Sequence, residues 1–161
     1  MGELRFGYVR GSRNGFPLPM GASEVLKTKS CNFVTSDGSG RGEIAGAAST
    51  DLMGAVESGD LTCSSTEGAT ELYCINDPNA VFKAPFAYAA STYTQNYAAT
   101  LINGFYDLVV NGNYQFVDLL TSIRNHVKVV GGKAATATAT LPAFNDGYVL
   151  VQMNSAILNE G

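Results

Sequence analysis

FYDLVVNGNYQFVD, residues 105–118, holds two short runs of β-branched and aromatic residues, 105–110 and 113–118, joined by Asn111-Gly112. An Asn-Gly pair between such runs predicts a β-hairpin, because a type I′ turn needs positive φ at both central residues. With that turn, Val109 stands opposite Tyr114 and Tyr106 opposite Val117. Cross-strand pairs of this kind each contribute roughly 0.2–1 kcal/mol. Few charges lie in the stretch, which places the hairpin at the centre of a β core.

Working outward, residues 126–130, 134–141 and 148–153 read as further strands, with Gly131-Gly132 and Asn145-Asp146-Gly147 as turns. Residues 134–140 alternate Ala and Thr, which fits a small-residue face against another sheet. On the other side, 81–86 is a strand interrupted by Pro85 and so expected at an edge. STYTQNYAAT, residues 91–100, is the one place for a short helix, with Ser91 as N-cap. Earlier still come short strands at 24–29, 32–35, 42–48, 52–58, 61–65 and 70–75, punctuated by turn signals such as Ser36-Asp37-Gly38-Ser39-Gly40. Pro17 and Pro19 forbid helix in the first twenty residues and favour extended backbone. The expected fold is all-β: a small barrel or sandwich of short strands, at most one short helix, and an extended N-terminal arm. The arm spans 1–18, a first β lobe 19–77 and a second 78–161, the two lobes forming one compact unit.

The chain has 161 residues, enough for one domain or two small lobes sharing a core. Only 15% are charged, against about 25% in an average protein. A surface so poor in charge is often covered by a partner or by other copies. The net charge of −4 argues against a nucleic-acid binder. Residues 1–13 carry Arg5, Arg10 and Arg13 against Glu3, whereas 37–77 hold eight acids against Arg41. A basic arm before an acidic lobe suits docking on a neighbour or a shared partner; ordinary solvated faces are the plainer reading. The candidate partner-binding residues are Arg5, Phe6, Tyr8, Arg10, Arg13 and Phe16. The aromatic ones need cover, either from a neighbour that the arm wraps or from their own domain. Residues 1–9 lack an apolar core, so no signal peptide is expected. The charge-free stretch 84–106 is broken by Pro85, Gln95, Asn96, Asn103 and Gly104, so no membrane helix is expected either.

Chemistry is sparse. If Gly68-Ala69 centres a hairpin, Cys63 and Cys74 face each other, either as a cross-strand disulfide or as reduced thiols packed like small hydrophobes. His126, the one histidine, lies in the strand-like HVKVV, and there is no G-x-S-x-G elbow to make it part of a triad. Gly38-Ser39-Gly40-Arg41-Gly42 resembles a phosphate loop only superficially, since no helix follows it. No metal-ligand spacing occurs and no cofactor is expected. Tyr88, Tyr93, Tyr97, Tyr106, Tyr114 and Tyr148 keep a glycan- or host-surface-binding module as the alternative function.

Three stretches carry a family resemblance: TDLMGAVES (50–58), NAVFKAP (79–85), and GFYDLVVNGNYQFVDL (104–119) followed by VKVVGG (127–132). They are similar to strands of the capsid decoration, or cement, proteins of tailed bacteriophages. The likeness covers residues 19–153 and leaves the arm outside it. It implies a virion structural protein without enzymatic activity. Such a protein binds the outer surface of the major capsid protein shell, as a homotrimer, and clamps neighbouring capsomers. The family has no catalytic residues to carry over.

Overall fold

The computed structural model of the chain describes residues 6–87, 92–93, 99–134, 139–140 and 147–159. It is all-β, as the short runs and turn signals predict, and its sheets pack as a small sandwich without closing into a barrel. Strands are numbered in chain order. A seven-stranded sheet runs β1 (Gly7–Arg10), β9 (Val81–Ala84), β16 (Tyr148–Met153), β14 (Val127–Lys133), β12 (Phe105–Asn111), β13 (Tyr114–Asp118), β10 (Phe86–Ala87). A five-stranded sheet runs β2 (Gly15–Pro19), β8 (Glu71–Ile75), β6 (Gly54–Val56), β4 (Phe33–Ser36), β5 (Gly42–Ile44). Two small ribbons pair β3 (Val25–Leu26) with β7 (Leu61–Thr62), and β11 (Thr92–Tyr93) with β15 (Ala139–Thr140).

The central hairpin forms, but its turn sits one residue later than expected, which shifts the pairing by two residues. Asn111 pairs with Tyr114, Val109 with Phe116 and Leu108 with Val117, so the loop is Gly112-Asn113. Positive φ falls on Gly112 (62°) and not on Asn113, which suits a type II′ turn with glycine first. The sequence Asn111-Gly112-Asn113 contains both turn signals, and the Gly-Asn one prevails.

Four other expectations are corrected. Pro85 does not make the whole run 81–86 an edge. It divides the run into β9, flanked by β1 and β16, and β10, which is the edge strand. Gly131 and Gly132 are not a turn but lie inside β14, where the register against β16 shifts between Val129 and Gly131. Glycines tolerate such a bulge within a strand. Gly68-Ala69 does not centre a hairpin: β8 already has β2 on one side and β6 on the other, so β7 pairs with β3 instead. The short helix over 91–100 does not form at Thr92–Tyr93, which is strand; residues 91 and 94–98 lie outside the described residues. Ala99–Leu101 is a single 3-10 turn.

Alternation along the five-stranded sheet explains the two cores. Phe33, Ala55 and Ile75 point into a large core shared with Phe82, Phe86, Leu108, Val129 and Val151 of the other sheet. Their neighbours Val34, Val56 and Cys74 point the other way, onto Leu18, Met20, Leu26 and Cys63. A strand whose successive side chains take opposite faces can fill both only if both faces are apolar. Close approach fixes Gly54 at the crossing: its φ is 148°, and a Cβ there would lie 2.3 Å from the Ile75 carbonyl oxygen. At the centre of the large core the Phe33 and Phe82 rings meet edge to face at 5.2 Å, a geometry worth about 1 kcal/mol beyond the buried area.

One polar side chain joins the sheets. Gln115 on β13, 1% exposed, aims its amide across the core at β4 and the segment after β5. Its Oε1 accepts from the Phe33 N–H at 2.7 Å, and its Nε2 donates to the Phe33 and Ala45 carbonyls at 2.8 Å each. The buried Ser30 hydroxyl bonds to the Gln115 backbone on the same side. The chain ends cross over as well. β1 belongs to the sheet of the second lobe, while Leu52 of the first lobe exchanges backbone bonds with Ile157 and Asn159.

Gln115→Leu leaves the Phe33 N–H and the Ala45 carbonyl without their partner, although the Phe33 carbonyl keeps its bond from the Ala45 N–H. Stranding those two groups should lower the unfolding free energy by about 2–5 kcal/mol in urea denaturation. A loss under about 1 kcal/mol would show that the amide does not tie the sheets.

Candidate functional site

Of the two covers for the amino-terminal segment, the structure shows its own domain. The segment is extended, and both of its runs are strands: Tyr8 pairs with Phe82, and Phe16 with Cys74. The Tyr8 ring stands edge-on to Phe82 at 6.3 Å. The Arg13 guanidinium lies 4.8 Å above the Tyr8 ring and pairs with Glu57, and the Arg13 carbonyl accepts from the Tyr73 hydroxyl at 2.7 Å. Phe16 packs, half-buried, on the second core. Arg10 is exposed and makes no ion pair with the described residues; Arg5 lies outside them. Tyr8 and Arg13 thus cluster beside the first lobe, Phe16 is spent on its core, and Arg10 stays exposed.

Beside this segment a cleft of about 550 Å³ opens between β1 and the first lobe, lined by Phe6, Tyr8, Lys29, Asn32, Glu57 and Phe82 among others. Its floor is aromatic and its rim carries one charge of each sign. Glu57 is already paired with Arg13, and the Asn32 amide donates to the Lys27 carbonyl at 3.1 Å. Cys31 also lines it, but burial pushes that thiol far up, so it stays protonated and a poor nucleophile. Among the described residues, the cleft offers contact area and no proton-transfer pair.

The remaining sequence candidates serve the fold. His126 is fully buried; its Nδ1 accepts from the Leu108 N–H at 2.8 Å and its Nε2 faces the Ser49 carbonyl at 2.7 Å. An acceptor at one nitrogen and a donor at the other define the neutral Nε2–H tautomer, with both positions taken by backbone. In the glycine-rich loop, the Asp37 carboxylate accepts from the Ser39 N–H at 2.7 Å and from the Arg41 Nε at 2.9 Å. That carboxylate occupies the place an anion would take. The Arg41 guanidinium, followed by the Ser39 amide, holds Asp37 below the usual carboxylate range. Among the described residues no group of three or more His, Cys, Asp or Glu side chains is placed to hold a metal ion. Tyr106, Tyr114 and Tyr148 are half-buried, and the Tyr148 ring is covered by the Lys83 Nζ at 4.2 Å. The Tyr88 and Tyr97 residues and the Tyr93 side chain lie outside the described set.

Sequence reading missed the loop at 119–125. Asp107 and Asp118 face each other across β12 and β13, both buried. The Asp118 carboxylate accepts from the Leu120 N–H at 2.9 Å and the Thr121 hydroxyl at 2.8 Å. The Asp107 carboxylate accepts from the Arg124 and Asn125 N–H groups at 2.8 and 2.7 Å. Between these anchors Leu120 is 64% and Ile123 78% exposed. The available signal was Asp118 three residues before Thr121, a local turn pattern, but nothing in sequence tied Asp107 to the same loop.

All three cysteines are free thiols and buried, and burial pushes Cys74 up to about 12. A thiol reagent should therefore label none of the three in the native protein while labelling all three in denaturant. Fast native labelling of Cys74 would contradict this packing. Tyr8→Ala should cost about 1–3 kcal/mol in urea denaturation, because the ring covers Phe82, whereas Arg10→Ala should stay within about 0.5 kcal/mol. Equal effects would remove the distinction between the packed and free residues of the segment. Comparison with known proteins gives no matching family model, no matching curated protein and no matching solved structure.

Proposed function

We propose that this chain is a virion structural protein of the capsid decoration type. It binds the outer surface of a major capsid protein shell as a homo-oligomer, a trimer, and bridges neighbouring capsomers without enzymatic activity. The observation that carries the reading is how the resembling stretches are used. Gly54, Asp107, Gln115 and Asp118, the distinctive residues of those stretches, each have a structural task in the sheets or the loop they hold. The groups with intrinsic reactivity among the described residues, His126 and the cysteines, are buried. What the surface offers is separate apolar side chains on several elements, such as Val9, Tyr73, Phe105, Val110 and Ile123. Many weak contacts repeated over a shell hold by avidity, and this distribution suits that mode of binding.

The test is the copy number of this chain relative to the major coat protein in purified particles. Near-equal numbers are expected, together with lower occupancy for Arg10→Glu at unchanged melting temperature. A few copies per particle, or none, would overturn the reading and bring forward the glycan-binding module, which a glycan array on the isolated protein addresses.

A further inference from the structure

We propose that the loop at 119–125 is a docking knob for a second copy of this chain, and that it seats on the exposed Glu71–Tyr73 stretch of the β2–β8 pair. This contact is a property of the isolated chain and does not rest on the capsid reading.

Scattered exposed apolar residues are ordinary on any protein. The loop differs because it is built to hold them out. Two buried carboxylates are costly unless they are hydrogen-bonded. Asp107 and Asp118 spend theirs on the N–H groups of Leu120, Arg124 and Asn125 and on the Thr121 hydroxyl. The Asp107 N–H also donates to the Thr121 carbonyl at 2.9 Å. Leu120 and Ile123 are therefore fixed before any partner arrives, and a preformed knob loses little conformational freedom on binding.

Charge selects the partner. Among the described residues from 78 to 159, Asp107 and Asp118 are the acids and both are buried, so the surface charges among those residues are Lys83, Arg124, Lys128 and Lys133. Arg124, directly after Ile123, is exposed and makes no ion pair with the described residues. The complementary surface must be apolar with a free acid beside it. The other half of the same chain carries one. On β8, Tyr73 is 44% exposed and stands opposite the exposed Pro17 of β2. Two residues along the same face is Glu71, exposed and likewise without an ion pair among the described residues. Ile123 with Arg124 on one copy matches Tyr73 and Pro17 with Glu71 on the next.

The two surfaces differ, so the contact is head-to-tail and leads to a closed ring or an open chain. Sedimentation velocity of the full-length protein over a concentration series, at low and high salt, tests it. Wild type should self-associate, more weakly at high salt. Ile123→Ser and Tyr73→Ser should each weaken association about tenfold or more, as expected of anchor residues. Mixing those two variants should give a heterodimer that grows no further, since each keeps one intact surface. Arg124→Glu and Glu71→Arg should each weaken association, and the double variant should restore it. Thermal melts confirm that the exposed substitutions leave the fold intact. A wild type that stays monomeric throughout overturns the proposal. So does association unchanged by Ile123→Ser, or charge reversals that do not rescue each other.

Discussion

Gln115 crosses from one sheet to the other in a place that water does not reach. Its amide has one acceptor and two donor positions to satisfy, and the facing backbone at Phe33 and Ala45 offers the matching groups. Apolar contacts between sheets would permit many relative positions at similar energy. A buried amide permits few, because a shift of one residue leaves several polar groups without partners. Ser30 adds to the constraint by bonding the backbone of the same residue. The position of the first lobe against the second follows from this node, and the large core then fills the space that the node defines.

The same device recurs at other joints. His126 ties β12 to the Ser49 carbonyl of the first lobe, using both ring nitrogens. Asn76 donates to the Asn159 carbonyl at 2.9 Å, where the C-terminal segment returns to Leu52. Asp107 and Asp118 shape the loop after β13. A chain with few charges has placed several of its most polar side chains inside. The surface is therefore left with isolated apolar residues and with charges such as Arg10, Glu71 and Arg124 that have no ion pair among the described residues.

Much of the fold was legible because short β runs and glycine-rich turns are local signals. The hairpin at 105–118, the strands of the first lobe and the Asp37 turn needed no distant information. Register was not legible: Asn111-Gly112-Asn113 contains two competing turns, and only the pairing of Gln115 with Val110 decides between them. Gly131-Gly132 looked like a turn because a bulge and a turn ask the same thing of the backbone. The partners of β8 could not be read, since β2, more than fifty residues upstream, takes the edge that the neighbouring β7 was expected to hold. The candidate surfaces were legible only in part. Phe6 to Phe16 stood out by composition, but Asp107 and Asp118 carry no sign of their common task until β12 and β13 are paired.

The crossing of the two chain ends has a kinetic consequence. β1 is made first but finds its place only against β9, and Leu52 waits for residues 157–159. Neither lobe can finish its hydrogen bonding while the other is missing, so folding waits until residues 157–159 are available. Such dependence on distant pairs slows folding and leaves strand edges open in the meantime. A nascent chain of this kind gains from slow release, low temperature or a chaperone, and its yield depends more on those conditions than on the stability of the finished protein.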